Sequence, residues 1–266
     1  MRIGGEQDMS CKTILNENKA YWSQRAGGYS EVNQTELNTA QHEIWRGELT
    51  RQIAARFPDR APETLRVLDI GTGPGFFAIL LAEAGYAVTA IDLTPEMLAE
   101  ARRNAGALAD RIAFHEMNAE ATAFPSECFD VLVTRNLTWN LPHPEDAYRE
   151  WARLLAPGGL LLNVDANWYG YLFDREMRAA FDADRVNSAA QGVGDQNVGE
   201  NFDVMEDIAR RVPLSGVLRP AWDEQRLTAL GLDVRTDPKV WQRVWSPEEK
   251  INFASTPLFL VAAVKA

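Results

Sequence analysis

The run Val67-Leu68-Asp69-Ile70-Gly71-Thr72-Gly73-Pro74-Gly75 decides how this chain is read. Its first half, with the preceding Leu65 and Arg66, is a short apolar run of the kind that forms a buried strand. Its second half turns on three glycines, and the apolar, helix-patterned residues Phe76 to Ala84 follow at once. A strand that passes through a glycine turn into a helix lets a ligand approach the main chain closely. The helix start offers it unpaired N–H groups.

The same rhythm continues outwards. Gly85 is a natural C-cap for the first helix, and Ala87 to Ile91 reads as a second strand. Thr94 can cap a helix that has Pro95 at its first position and runs to Asn104. Arg111 to Glu116 and Phe129 to Thr134 read as the third and fourth strands. Asp146 to Leu155 is a helix stopped by Pro157-Gly158-Gly159, and Leu160 to Asp165 is a fifth strand. Strands that alternate with helices of this length imply βαβ units and a parallel sheet. Before the sheet, Asn16 to Ser30 and Glu36 to Phe57 are expected to be helical, closed by Pro58 and Pro62. After it, residues 166–232 are too long for a simple crossover. Only Ala221 to Leu230 fits the crossover helix, and the rest is an insertion. Val234 to Val244 and Leu258 to Val264 read as the last strands. Four regions follow: a helical cap over 1–60, a cofactor-binding half over 61–165, an inserted lid over 166–220, and completion of the sheet over 221–266.

The chain has 266 residues, 46% of them hydrophobic and 24% charged, with a formal net charge of −11. A core of this size folds without staples, and the acidic balance argues against nucleic acid as a partner. Cys11 and Cys128 form neither a disulfide framework nor a metal-binding pair. His42, His115 and His143 lack zinc-ligand spacing, so no bound metal is expected. The opening Met1 to Glu6 has no secretory apolar run and no stretch of 18 apolar residues occurs, so a cytoplasmic protein without a membrane span is expected.

What the glycine turn binds is read from its neighbours. Asp69, two residues before Gly71, would repel a pyrophosphate and attract a cation. S-adenosylmethionine carries an ammonium and a sulfonium and no phosphate, so it fits better than a dinucleotide. Asp92 ends the second strand about 20 residues beyond the turn, where a carboxylate can accept both ribose hydroxyls. Leu93 and Met97 offer an apolar edge to adenine. Asn118-Ala119-Glu120 follows the third strand, where a side chain can reach the adenine amino group. Arg135-Asn136-Leu137-Thr138-Trp139-Asn140 follows the fourth.

Together these segments resemble class I S-adenosylmethionine-dependent methyltransferases of the small-molecule type, which include the ubiquinone/menaquinone methyltransferases. Asp69 to Gly75 resembles the family's first motif, and Ala90-Ile91-Asp92-Leu93-Thr94-Pro95-Glu96-Met97-Leu98 its ribose-binding motif. Asn118-Ala119-Glu120 with Phe124-Pro125 resembles its D-A-E … L-P-F stretch, with Asn in place of Asp. Leu154-Leu155-Ala156-Pro157-Gly158-Gly159 resembles its L-K-P-G-G turn. The resemblance covers residues 64 to 165. It implies a Rossmann-like, seven-stranded, mostly parallel α/β sheet with helices on both faces and an antiparallel last strand. The implied activity is methyl transfer to a small-molecule acceptor. The expected cofactor-binding set is Tyr29, Asp69, Gly71, Thr72, Gly73, Gly75, Asp92, Leu93, Met97, Asn118, Ala119, Glu120, Arg135 and Asn136.

Three rival readings stand beside this one. A nucleic-acid methyltransferase would share the cofactor half, but Arg135-Asn136-Leu137-Thr138 replaces the Asn/Asp-Pro-Pro-Tyr/Phe run that stacks a flipped base. A dinucleotide oxidoreductase is disfavoured by Asp69 and by G-x-G-x-G in place of G-x-G-x-x-G. A non-catalytic S-adenosylmethionine-binding protein shares every motif. No catalytic base is assigned. His143, in Leu141-Pro142-His143-Pro144, reads as an exposed turn and His115 as structural. Tyr21, Trp22, Trp139, Asn167 and Trp168 are expected around the substrate. The N-terminal helices and the insertion are expected to close over the methyl group, with Gln191 to Asn201 as a hinge. The other reading of the insertion is a homodimer arm.

Overall fold

The computed structural model describes residues 4–195 and 201–266, with side chains from residue 13 onward. Seven strands form one sheet: β1 (Arg66–Ile70), β2 (Ala87–Asp92), β3 (Ile112–Glu116), β4 (Phe129–Arg135), β5 (Leu155–Asp165), β6 (Leu232–Asp237) and β7 (Phe259–Lys265), in the order β3-β2-β1-β4-β5-β7-β6. The pairs from β3 through β5 are parallel, and β7 pairs antiparallel with both β5 and β6. The antiparallel last strand is as the resemblance implied. β5 starts earlier than expected, at Leu155, with a register irregularity against β4 before regular pairing resumes at Leu160.

Strand alternation sorts the core into two layers. On one face Val67, Val131 and Val133 pack with Trp45, Leu49 and Ile53 of α2 (Ala40–Arg56) and with Phe76, Phe77 and Leu80 of α3 (Phe76–Glu83). On the other, Leu68, Ile70 and Leu132 pack with Tyr148, Trp151 and Leu154 of α5 (Pro144–Leu154) and Leu227 of α8 (Ala221–Ala229). At the start of the helix α4 (Pro95–Ala105), Ser23 Oγ donates to Glu96 Oε2 at 2.8 Å.

Two expectations change. Val234 to Val244 is not one strand: β6 stops at Asp237, whose Oδ1 accepts from Lys239 N at 2.9 Å and turns the chain. The short helix α9 (Trp241–Val244) then buries Val240 and Val244 in the α2–α3 layer. At the other end, a single helix α1 (Gly4–Leu37) runs through both Gly27 and Gly28 and over the pocket end of the sheet. The insertion contributes α6 (Arg175–Ala190) and α7 (Phe202–Ala209), and α10 (Pro247–Asn252) precedes β7. Part of the expected Gln191–Asn201 hinge lies outside the described residues. No described helix is long and apolar enough to cross a membrane.

The insertion is pinned to the sheet by a buried ion cluster. Arg219 Nη1 donates to Asp165 Oδ2 at 2.5 Å, and its Nε and Nη2 bond Asp223. Tyr148 donates its hydroxyl to Asp223 and accepts from Asn163 Nδ2. Asp165 also accepts from Trp139 N at 3.0 Å, so the cluster holds the turn after β4.

The glycines predict opposite responses. A methyl at Gly27 meets nothing within 4 Å and at Gly28 only the end of Arg25, so neither glycine is required by packing. Gly27→Ala and Gly28→Ala should each stabilise the protein by about 0.5–1 kcal/mol. Gly75 has φ +93°, and its added methyl would lie 3.0 Å from Ala101 Cβ and 3.2 Å from Ala101 Cα. Gly75→Ala should destabilise by about 1–3 kcal/mol. Urea denaturation of the three variants measures both signs.

Candidate functional site

The carboxyl ends of β1 to β4 open into one pocket of about 780 Å³ including its mouth, within the range of about 300–1,000 Å³ usual for small-molecule sites. Its floor is the glycine turn. Gly71 has φ +65° and Gly73 φ +53°, a backbone region that L side chains disfavour. A methyl on Gly71 would fall 2.8 Å from Leu137, and one on Gly73 would fall 3.7 Å from the Tyr29 ring. Gly71 is thus tight because a pocket wall stands over it, whereas a methyl on Gly73 would make an ordinary contact with Tyr29.

Asp92 links floor and side wall. Its Oδ2 accepts from Gly73 N and its Oδ1 from Thr94 N, both at 2.9 Å. A carboxylate has about four lone-pair sites, so each oxygen keeps acceptor capacity for a ligand hydroxyl. Burial pushes its pKa up, and the N–H groups of Thr94 and Gly73 pull it back. Leu93 and Met97 form the apolar edge beside it, and Met117, Asn118 and Ala119 come from the loop after β3.

The roof is α1, which lines the pocket with Leu15, Asn18, Lys19, Trp22 and Tyr29. Lys19 Nζ reaches Glu116 Oε1 at 2.6 Å. Asn18 Nδ2 donates to Asn140 O at 2.9 Å. At the far end Arg135 is clamped by Glu36, with Nη2 to Oε1 at 2.5 Å and Nη1 to Oε2 at 3.1 Å. Its guanidinium lies 4.9 Å from the Trp45 ring and 5.0 Å from that of Phe76. The Glu36 charge holds the arginine pKa above its usual range despite burial.

Of the expected cofactor set, Tyr29, Gly71, Gly73, Asp92, Leu93, Met97, Asn118, Ala119, Arg135 and Asn136 meet in this pocket. Asp69, Thr72, Gly75 and Glu120 are not among its lining residues. Asp69 is 2% exposed and its Oδ2 accepts from Thr72 Oγ1 at 2.6 Å. It shares the α3 face of β1 with Val67, two residues before it. Its carboxylate therefore meets the Ala78 N–H at the start of that helix, and burial pushes its pKa up to about 7. It braces the turn; it does not face the pocket. Gly75 is spent on the approach to Ala101, and Glu120 Oε1 accepts from His143 N at 2.6 Å.

Of the expected substrate residues, Trp22 alone lines the pocket. Trp139 packs at a tilt on Tyr169 with ring centroids 4.9 Å apart, and Tyr21 meets Trp22 edge-on at 5.2 Å. Trp168 packs on Phe253 at 5.5 Å. Asn167 bonds the Arg219 main chain in both directions, donating to its O at 2.9 Å and accepting from its N at 3.0 Å. Trp139, Tyr21 and Trp168 join Ile14, Met205 and Ile208 in a cluster that seals α1 against α7. Sequence reasoning missed Asn18, which belongs to no motif, and gave Asn140, at the end of the run after the fourth strand, no role of its own; the two meet because α1 crosses the turn after β4. Among the described residues no group of three or more His, Cys, Asp or Glu could hold a metal.

Residues 68–163 match a methyltransferase domain family. The match runs from β1 into β5, the part of the sheet whose strand ends form the pocket. The chain is 40% identical over 109 residues to a demethylmenaquinone methyltransferase of Thermus thermophilus, covering 40% of this chain and 49% of that protein. It is 31% identical over 159 residues to a ubiquinone/menaquinone biosynthesis C-methyltransferase of Bartonella tribocorum, covering 56% and 59%. The chain thus spans about half the length of these curated relatives. A solved structure of a candidate S-adenosylmethionine-dependent methyltransferase from Methanococcus maripaludis shares the fold. Its TM-score is 0.56 at 19% identity, over 92% of this chain and 93% of that one.

The pocket fits this cofactor. A methyl on Gly71 would run into Leu137, so the floor there is bare main chain, and Asp92 has acceptor sites left for hydroxyls.

Two outcomes follow from the carboxylates. Between about pH 4 and pH 7 the folded protein keeps a proton on Asp69 that the unfolded chain has released. Stability should therefore fall as pH rises through that window and level off above it, by up to about 4 kcal/mol. Asp69→Asn should remove that part of the slope when urea unfolding is compared at pH 5 and pH 8. Asp92→Ala should weaken S-adenosylmethionine binding at least about tenfold, and should also cost about 1–3 kcal/mol of stability because two buried N–H groups lose their acceptor. Calorimetry and denaturation read the two effects separately.

Proposed function

We propose that this protein transfers a methyl group from S-adenosylmethionine to a small, largely apolar acceptor. The observation that carries the reading is the joining of the glycine floor to Asp92, under a helical roof, at the carboxyl ends of parallel strands. Asp92 would hold the ribose hydroxyls, and Leu93, Met97 and Met117 would wall the base. Gly71 and Gly73 would let the methionine portion lie against the main chain, near Tyr29 and Asn136. When bound, the cofactor supplies an electrophilic methyl on its sulfonium. The protein then has to position the acceptor in line with it and keep water out.

The roof serves that second task. Trp22 and Leu15 place apolar surface over the pocket, and the aromatic cluster between α1 and α7 closes the gap between cap and insertion. Arg135 is neutralised by Glu36, and Lys19 is paired with Glu116. Among the described residues the wall therefore offers no unpaired cation to an anionic acceptor, which favours a neutral one. The names of the relatives point the same way, towards quinone-type rings.

Protein incubated with methyl-labelled S-adenosylmethionine and separate pools of organic-soluble metabolites and nucleic acid tests the reading. Label is expected in an organic-soluble compound, with S-adenosylhomocysteine formed in equal amount. Both forms of the cofactor should raise the melting temperature by mass action, and NAD should not. Label in nucleic acid, or stabilisation by NAD, would overturn it.

A further inference from the structure

The sheet order divides the pocket into two sides. The strands run β3-β2-β1-β4-β5. Asp92, Leu93, Met97 and Met117, the groups for ribose and base, follow β2 and β3, and the glycines for the methionine portion follow β1. The turn after β4 supplies the opposite side, where Leu137 and Leu141 give apolar surface. The sulfonium joins the ribose to the methionine portion. Methyl transfer needs the acceptor beyond the methyl, in line with the sulfur. With the cofactor on the β1 to β3 side, the room for the acceptor is on the β4 side.

Trp22 stands over that room. Among the described residues it is the one lining residue of the pocket that also packs on the cluster between α1 and α7. That cluster contains Trp139, which follows β4, and Trp168 and Tyr169, which follow β5, so it marks the β4–β5 side. Asn18, one helical turn earlier on α1, bonds Asn140 on the same side. The Trp22 ring is flanked edge-on by Tyr21 at 5.2 Å and at a tilt by Tyr29 at 5.6 Å. Tyr29 in turn stands over Gly73. Trp22 therefore begins where the methionine end of the site stops. Aromatic rings that pair gain more than their buried area alone provides. A puckered ring of the same size cannot lie flat on an indole and forgoes that gain.

We propose that Trp22 selects the acceptor: its indole stacks on a planar aromatic ring and discriminates against a puckered one of equal size. The proposal deepens the methyl-transfer reading and rests on it. It also gives the insertion a part in specificity. No described residue of 166–220 lines the pocket, yet the insertion's side of the cluster sets where Trp22 lies.

Calorimetry on protein saturated with S-adenosylhomocysteine tests it, with 1-naphthol and its puckered analogue decahydro-1-naphthol as probes. Wild-type protein should bind 1-naphthol about fivefold more tightly than the analogue. Trp22→Phe should keep most of that preference and Trp22→Leu should lose it, both with the S-adenosylhomocysteine affinity of the wild type. If Trp22→Leu keeps the preference, or loses S-adenosylhomocysteine in step with 1-naphthol, the indole is a wall of the cofactor site and the proposal fails. Nuclear Overhauser contacts between the Trp22 indole protons and 1-naphthol are expected in wild-type protein, a readout that needs no variant to fold. Naphthol bound without them overturns the proposal. Wild-type protein that binds S-adenosylhomocysteine but neither probe, or both alike, overturns this proposal alone. Protein that does not bind S-adenosylhomocysteine overturns the cofactor reading and the proposal with it.

Discussion

The pocket side of this molecule depends on one buried cation. Arg135 ends β4, and its guanidinium is gripped by Glu36 near the end of α1 while it lies against Trp45 of α2 and Phe76 of α3. Three helices are thereby tied to one strand end. The carboxylate is 5% exposed, so neither charge can be released without leaving the other stranded, which costs about 3–5 kcal/mol for such pairs. The roof over the pocket is therefore anchored at its C-terminal end. Its N-terminal half is held by the polar contacts Asn18 to Asn140, Lys19 to Glu116 and Ser23 to Glu96 and by the aromatic cluster against α7. Gly27 and Gly28, which no packing demands, lie between the two halves.

A second buried cation does the corresponding work for the insertion. Arg219 binds Asp165 and Asp223, and Asp165 in turn accepts from the main chain of Trp139. The insertion and the turn that forms one pocket wall therefore share a carboxylate. Asn167, with its side chain on the Arg219 main chain, is bonded into this scaffold. Cap and insertion then meet in the aromatic cluster of Trp139, Tyr21, Trp168 and Tyr169. The two segments that match no motif are joined to each other as well as to the sheet.

The cofactor half was largely legible in the sequence because its signals are local. A glycine that must adopt positive φ, a proline at a helix start and an apolar run of strand length each act over a few residues. Gly71, Gly73 and Asp92 fall where those signals place them, and Asp92 is bonded to Gly73 N across the β1–β2 gap. The corrections come where a local pattern leaves a side chain's direction open. Asp69 reads from sequence as a charge beside a ligand. Strand alternation and the α3 start turn it inward, onto Thr72. Glu120 and Asn167 are likewise polar residues at strand ends whose partners lie far along the chain.

From sequence alone come the order of strands and helices up to residue 165, the glycine floor, the carboxylate at the end of β2 and the class of cofactor. All depend on backbone propensity and hydrophobic period, which are written into consecutive residues. A helical cap was expected from the sequence; the tertiary structure alone decided that one continuous helix forms it over the pocket, that Asn18 and Asn140 meet in it, and that Arg135 and Arg219 are the two anchors. Those contacts join residues up to 122 positions apart. No short-range pattern encodes such a pairing, because burial and charge complementarity are settled only when the sheet has brought the partners together.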